Sequence, residues 1–205
     1  MSHADPQQLG IRTRKRLPHW EIEPGVYFVT FRLHDSLPRE VARAIEAERE
    51  NIVATAKQMK RELAAHERRR LTKLFSERIE RYLNAGLGAC HLKDPRVANS
   101  ICTALRHFDG QRYELFAWCI MPNHVHVVFQ PQPGRDLAGI LHAWKSFTAK
   151  EANRLLGRVG TFWQREYYDH LIRDERELWR VIEYVRDNPV KAGLKDWHWV
   201  EVCSP

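Results

Sequence analysis

Long hydrophobic runs are missing from this 205-residue sequence. A helix that crosses a bilayer needs about 20 consecutive apolar residues, whereas the longest apolar stretches here are LFAWCIMP and VHVVF. The basic cluster near the N-terminus is followed by no apolar segment, which argues against a secretory signal. We therefore expect a cytoplasmic protein that does not associate with membranes.

Paired cysteines are also missing. The chain has four cysteines, and they form no CxxC motif and no other short metal-type spacing: Cys90, Cys102, Cys119 and Cys203. This distribution excludes a disulfide framework and a cysteine zinc site, and it predicts four reduced thiols. The sequence also lacks internal repeats and low-complexity linkers, so we expect one domain rather than an array.

Positive charge is in excess, with 33 Lys and Arg against 26 Asp and Glu and a net charge of +7. A basic chain is typical of nucleic-acid-binding proteins, but charge alone also serves solubility. Part of the excess lies in residues 1–20, which we interpret as a basic N-terminal arm containing RTRKR. Residues 21–205 are predicted to form a single domain.

Hydrophobic periodicity divides that domain into alternating strands and helices. Strands are predicted at 25–33, 113–121, 124–130 and 167–173, and helices at 95–108, 137–156 and 174–187. A charged helical insertion is expected at about 38–85, broken near His66–Arg70. This order predicts an α+β fold with a ferredoxin-like antiparallel sheet and helices packed on it.

The segment MPNHVHVVF (residues 121–129) places two histidines in an apolar, β-branched strand. Side chains alternate along a strand, so His124 and His126 point to one face while Val125, Val127 and Phe129 point to the other. Two neutral imidazoles on one face can converge on a divalent ion. The alternative is a pair of hydrogen-bonded surface histidines, and a metal site needs a third ligand.

The helix that ends in EYVRDNP supplies candidates for the remaining roles. Tyr184 and Asn188 are four residues apart and therefore share a helix face. The Asn188 amide oxygen could complete a His, His, Asn set, and the Tyr184 hydroxyl could attack a phosphorus atom. The alternative is that Tyr184 is an ordinary residue at the core edge. Pro189 predicts that the helix ends at Asn188, because a residue before proline disfavours the α conformation.

Several blocks, taken in order, resemble the REP-associated tyrosine transposases, which are single-tyrosine members of the His-hydrophobic-His nucleases. The resemblance extends from about Leu17 to Leu194. It is carried by LPHW, YFVTFRLHDSLP, ALRHFDG, MPNHVHVVF, LHAWKSFTAK, FWQREYYDH and NPVKAGL. The joint occurrence of these blocks is specific, whereas the two histidines alone are not. The helical insertion contributes least to the match.

The resemblance implies a metal-dependent single-stranded DNA endonuclease and strand transferase. His124 and His126 would bind Mg or Mn, with Asn188 as third ligand where relatives often carry Gln. Tyr184 would attack DNA and form a 5′-phosphotyrosine. Tyr167 and Tyr168 are rival nucleophiles by position, although they match a structural strand of the family. The recognised DNA would be single-stranded or a hairpin, and the bacterial protein would work near the nucleoid as a monomer or homodimer.

Candidate DNA contacts are basic residues of the arm, of the helix at 137–156 and of the segment after it: Arg12, Arg14, Lys15, Arg16, Lys145, Lys150, Arg154 and Arg165. Such side chains supply salt-dependent phosphate binding. Trp144 and Trp163 could stack on bases, but they are expected to lie in the core.

Two other functions compete with the transposase interpretation. One is a non-catalytic protein that binds DNA hairpins, against which the joint presence of His124, His126 and Tyr184 argues. The other is a small zinc hydrolase that acts on a different substrate. That function would require an acidic ligand at suitable spacing, which the sequence does not display, and it leaves the basic arm unexplained.

Overall fold

A computed structural model of the chain describes residues 10–14, 17–21 and 25–203. Its centre is a five-stranded antiparallel sheet. The strands are β3 (Val26–Arg32), β4 (Tyr113–Ile120), β5 (His124–Pro131), β6 (Tyr168–Ile172) and β7 (Val200–Val202), in the order β6-β3-β5-β4-β7. The first four follow the β-α-β-β-α-β succession of the ferredoxin-like plan. The predicted α+β class is confirmed.

Three helices cover the sheet: α4 (Pro95–Arg106), α5 (Leu137–Leu155) and α6 (Glu175–Lys191). The inserted region contains α1 (Arg39–Gln58), α2 (Ala65–Lys73) and α3 (Glu80–Asn84), with a π-helical turn at Leu74–Ile79. A 3₁₀ turn at His91–Lys93 precedes α4. Two short strands, β1 (Gly10–Arg14) and β2 (Leu17–Glu21), form a separate antiparallel pair within the segment interpreted as an arm and just beyond it.

Strict alternation along β5 gives the sheet two different faces. Val125, Val127 and Phe129 are fully buried among residues of α4 and α5, such as Ile101 and Leu141. Trp144 and Trp163 also lie in this core, as expected, and are 4% and 5% exposed. The other face is covered by α6, whose Ile182 and Val185 pack against Phe28 and Val128.

The inserted helices form small apolar clusters of their own. Leu74 and Ile79 are both buried although they are five residues apart, a spacing that an α-helix cannot place on one side. The π-helical turn between them contains more residues per turn and brings both to the same side. The insertion therefore keeps an apolar inner face despite its sparse hydrophobic residues.

Two predicted helix boundaries are wrong. The break in the insertion lies between Gln58 and Ala65 rather than at His66–Arg70. There Lys60 adopts a left-handed backbone with φ 50°, a turn made without the glycine that would have signalled it. Helix α6 continues through Pro189 to Lys191, so Asn188 lies within the helix. Proline removes only one backbone hydrogen bond, and Asn188 and Pro189 are both buried against the sheet.

The strand β7 was not predicted, because three residues give too short a pattern to recognise. All four cysteines are free thiols, as expected. Within the described ranges, no helix has the length and apolar character needed to cross a bilayer.

Candidate active site

The two histidines of β5 meet on the face of the sheet that α6 covers. Both are fully buried, and the distance from His124 Nε2 to His126 Nε2 is 3.0 Å. Burial overturns the alternative of two surface histidines. The alternation predicted for β5 is therefore what brings the imidazoles together, since the valines between and beside them anchor the opposite core.

Hydrogen bonds fix the orientation of each ring. Asn123 Nδ2 donates to the Leu87 carbonyl over 2.9 Å, so its Oδ1 faces His124 Nδ1 at 2.8 Å and accepts from it. Nδ1 of His126 is 2.7 Å from the Thr30 hydroxyl on the neighbouring strand. With His124 Nδ1 carrying the proton, its Nε2 presents a lone pair toward the other ring.

Burial also keeps both rings neutral. Desolvation lowers the pKa of His124 well below its ordinary value, and the neighbouring His126 adds to this effect. Burial lowers the pKa of His126 to about 3. Neutral imidazoles are the form that binds metal ions.

Helix α6 places Tyr184 against the same pair. Asp174 caps the helix by accepting a hydrogen bond from the Glu177 backbone N–H. The ring of Tyr184 lies 5.5 Å from the ring of His126, and it meets Phe28 edge-to-face. The predicted nucleophile and the histidine pair therefore come together within one chain.

The Tyr184 hydroxyl has a carboxylate partner from the insertion. It donates a hydrogen bond to Glu80 Oε1 over 2.5 Å. Burial, together with the negative charge and hydrogen bond of Glu80, raises the pKa of Tyr184, while a hydrogen bond from Asn188 lowers it. Burial raises the pKa of Glu80 in turn, and its bond with Tyr184 counteracts part of that rise.

Asn188 lies one turn beyond Tyr184 and is 2% exposed. Its Oδ1 is buried without a hydrogen-bond partner among the described residues. A buried amide oxygen left without a partner is unusual, because desolvation without compensation costs about 1–3 kcal/mol. Such an atom is suited to bind a cation.

These residues fit a divalent ion. Two adjacent ligands that each lie about 2.1 Å from an octahedral ion are about 3.0 Å apart, which matches the separation of the two Nε2 atoms. Across the described part of the chain, no three His, Cys, Asp or Glu side chains form a metal-binding group. The candidate for a third protein ligand is the buried Asn188 Oδ1, which has no hydrogen-bond partner among the described residues.

Tyr168 lies close to the histidine pair, whereas Tyr167 is held by another contact. Tyr168 pairs with Thr30 across β6 and β3 and packs edge-to-face on Phe28, the ring that also contacts His126 and Tyr184. The Lys145 ammonium lies over the Tyr167 ring at 5.7 Å. The choice of Tyr184 over these two tyrosines as nucleophile stays a prediction.

The candidate DNA contacts fall into three groups. Arg12 and Arg14 lie in β1, whereas Lys15 and Arg16 are outside the described residues. Lys150 and Arg165 are exposed, and Arg154 is exposed but paired with Glu151. Lys145 donates to the carbonyls of Gln164 and Arg165, each over 2.7 Å, and so it holds the chain before β6 in place.

Three residues of this site were not predicted from the sequence. Asn123 had a signal, because it adjoins His124 in MPNHVHVVF. Thr30 could have been found by pairing the faces of the two strands. Glu80 gave no local signal, since its contact joins residues 104 positions apart.

Comparison with known proteins finds a family model and several relatives that match part of this chain. Residues 92–188 match the family model described as "Transposase IS200 like". A "Putative REP-associated tyrosine transposase" of Haemophilus influenzae is 34% identical over 99 residues, which cover 42% of this chain and 56% of that protein. A "REP-associated tyrosine transposase" of Escherichia coli K12 is 27% identical over 89 residues, covering 42% and 52% respectively.

The fold has a solved counterpart. The structure of a REP-associated tyrosine transposase bound to a REP hairpin superposes with a TM-score of 0.50 at 16% identity, covering 92% of this chain and 82% of that one. The chain spans about half the length of the curated relatives it matches. Together these matches confirm the resemblance that the sequence motifs carry.

Proposed function

We propose that this chain, which carries a domain of the IS200-like transposase family at residues 92–188, cleaves and rejoins single-stranded DNA through a phosphotyrosine intermediate. The observation that carries the proposal is the position of Tyr184. Its hydroxyl-bearing ring lies 5.5 Å from His126, beside two neutral imidazoles with converging Nε2 atoms. A nucleophile next to a metal-binding pair is the arrangement that phosphodiester transesterification requires.

Each residue has a distinct part in this chemistry. The Tyr184 oxygen attacks the phosphorus atom, forms a bond to it and displaces the 3′ oxygen of the preceding nucleotide. The product is a 5′-phosphotyrosine and a free 3′-hydroxyl. Because the bond to tyrosine conserves the phosphodiester energy, another 3′-hydroxyl can reverse the step without ATP.

His124, His126 and Asn188 would hold the divalent ion, Mg or Mn. Such an ion, when bound, polarises a non-bridging phosphate oxygen and neutralises the charge that develops on it. Asn123 and Thr30 hold the two rings with their Nε2 atoms toward the common point. Substituting Asn123 or Thr30 would keep both histidines but would remove the hydrogen bonds that fix the orientation of their rings.

The DNA partner is proposed to be a hairpin or single strand. One solved structure with this fold is bound to a REP hairpin, and the net charge of +7 favours binding to phosphates. Lys150 and Arg165 are exposed and can reach a ligand, while Lys145 is occupied by backbone carbonyls. The contacts of Arg12, Arg14, Lys15, Arg16 and Arg154 stay predictions.

The active site is complete within one chain in this arrangement, since Tyr184 packs against the histidines of its own sheet. We therefore propose that a monomer suffices for cleavage. A homodimer would then serve to bring two DNA ends together rather than to supply the tyrosine.

The proposal is tested by trapping the covalent adduct. The protein is incubated with a library of single-stranded oligonucleotides that each contain a stem-loop, in Mg or Mn, and adducts are detected by a shift in denaturing electrophoresis. We expect an adduct that chelation of the metal prevents. Tyr184→Phe should abolish it while the circular dichroism spectrum stays that of the wild type.

Tyr167→Phe and Tyr168→Phe are the matched controls and should retain the adduct. An adduct that survives Tyr184→Phe and disappears in either control would assign the nucleophile to Tyr167 or Tyr168 instead. Hairpin binding without cleavage, with or without metal, would instead favour a DNA-binding protein that has no catalytic role.

A further inference from the structure

The phenol of Tyr184 must lose its proton for the attack to occur. A tyrosine has an ordinary pKa near 10, so at neutral pH the hydroxyl is protonated. A bond from its oxygen to phosphorus requires that this proton move to an acceptor within hydrogen-bond reach. Glu183 adjoins Tyr184 in the sequence, but successive residues of a helix do not face each other, and the Glu183 side chain is exposed.

Few groups near the Tyr184 hydroxyl could accept its proton. The two histidine rings are occupied, because Nδ1 of each is bonded to Asn123 or Thr30 and the Nε2 atoms face each other. Asn188 carries an amide, which is no base at neutral pH. Among the residues that the structure describes, the partner that can act as a base is the carboxylate of Glu80, to which the hydroxyl donates a hydrogen bond of 2.5 Å.

We infer that Glu80, supplied by the helical insertion, is the general base that accepts the Tyr184 proton during DNA cleavage. The inference rests on the proposed function and adds a catalytic residue to it. Glu80 touches the reacting oxygen directly, so its part is chemical and not only one of positioning.

The proton transfers balance both in cleavage and in rejoining. During cleavage the Oη–P bond forms, the P–O3′ bond breaks, the phenol proton passes to Glu80 and the leaving 3′ oxygen takes a proton from water. During rejoining the incoming 3′-hydroxyl loses its proton to water, the P–Oη bond breaks and Glu80 returns a proton to Tyr184. No oxidant, reductant or further reactant is needed.

The surroundings of Glu80 suit a base. Its side chain is partly withdrawn from water, and burial raises its pKa toward the range in which a carboxylate accepts protons effectively. Glu80 also lines a cavity of about 80 Å³ between the insertion and the sheet, together with Thr30 and Arg32. This volume has room for more than one water, through which a proton can exchange.

The fold of the insertion explains how Glu80 reaches this position. Glu80 is the first residue after the π-helical turn. That turn places Ile79 and Leu83 in the apolar contact of the insertion, where they pack with Leu37 and Ile45. An additional residue in one helical turn changes which side chains face inward, and such turns occur often at functional sites. The insertion is thus part of the active site rather than a peripheral addition.

The first test measures the single-turnover rate of adduct formation on the hairpin oligonucleotide that the wild type cleaves. Glu80→Gln keeps the size of the side chain and removes its basicity. We expect a rate about 10²–10⁴-fold lower, which is the usual contribution of general-base catalysis. Glu80→Asp keeps the carboxylate on a shorter side chain and should retain more activity than Glu80→Gln. Glu48→Gln, in the same insertion and paired instead with Arg70, is the matched control and should react as the wild type.

The second test separates a base from a merely structural residue. Tyr184 is replaced, by genetic incorporation, with a fluorinated tyrosine whose phenol is more acidic. A more acidic phenol depends less on a base to lose its proton, so the deficit of Glu80→Gln should shrink to less than about 10-fold. If Glu80 only positioned the ring, the deficit would stay as large as with ordinary tyrosine, and the inference would be overturned.

Failure of this inference is distinguishable from failure of the proposed function. Wild-type adduct formation with an equally fast Glu80→Gln variant would refute the role of Glu80 alone. Absence of any adduct from the wild type across the oligonucleotide library would refute the transesterase function, and the role of Glu80 with it.

Discussion

Asn123 Oδ1 lies 2.8 Å from His124 Nδ1, and the same amide is held from its other end by the Leu87 carbonyl. The turn residue therefore fixes both the tautomer and the angle of a buried imidazole. A small polar residue at the entrance of β5 thus determines which nitrogen of His124 is available to a metal ion.

The first prediction concerns this support. Asn123→Ala should lower the affinity for Mn²⁺ by about 10–100-fold, because an unsupported imidazole loses its fixed orientation and part of its basicity. Calorimetric titration of the purified variants with Mn²⁺ measures the change. Asn51→Ala, on the exposed side of α1, is the control and should bind as the wild type. Equal affinities in both variants would mean that His124 does not bind the ion.

The second prediction concerns Asn188. Its buried Oδ1 without a partner is expected to bind the ion directly, so Asn188→Ala should weaken Mn²⁺ binding by about 10-fold or more. Asn188→Asp adds a negative charge at the same place and should strengthen it. The pair of variants is compared by electron paramagnetic resonance of bound Mn²⁺. Unchanged binding in Asn188→Ala would show that water takes the third position.

A third prediction uses two glycines of the loop after α3, both of which have positive φ. Gly86 (φ 64°) has open space around it, whereas a Cβ on Gly88 (φ 87°) would lie 2.6 Å from the Asp35 carbonyl oxygen. Gly86→Ala should cost about 1–2 kcal/mol of unfolding free energy from backbone strain alone. Gly88→Ala should cost clearly more, because backbone must also move.

Urea denaturation followed by circular dichroism measures both glycine variants. Equal losses would contradict the close approach of this loop to Asp35, three residues beyond the end of β3. That approach also matters for the site, since the Leu87 carbonyl between the two glycines holds Asn123.

The fourth prediction concerns thiol reactivity. Cys119 lies fully buried opposite His126 in the sheet, and burial raises its pKa to about 12. Because only the thiolate reacts, iodoacetamide should leave Cys119 unlabelled even when the pH rises from about 7 to about 9, where an ordinary cysteine becomes ionised. Mass spectrometry of peptides checks this, and labelling in denaturant is the control. Rapid native labelling of Cys119 would contradict the packing of α6 on this face.

Prediction of secondary structure from the sequence succeeded where the backbone conformation is regular. The strands β3 to β6 and the helices α4 to α6 were predicted within a few residues, because alternation and helical spacing follow directly from strand and helix geometry. The shared helix face of Tyr184 and Asn188 is another feature that follows from helical spacing. Errors occurred where the chain departed from a repeat: at Lys60, at Pro189 and at the π-helical turn.

For the candidate site, sequence alone determined that His124 and His126 share a face, since period-two alternation requires it. It also indicated that Tyr184 and Asn188 share one side of a helical turn, although it placed the helix end at Asn188. Only the tertiary structure decided that the two pairs meet, that Thr30 supports His126 from 96 residues away, and that Glu80 reaches Tyr184 from 104 residues away. Local periodicity is set by backbone geometry and can be read from neighbouring residues. Contacts between distant elements depend on which faces pack together, and no local sequence pattern in this chain indicates that packing.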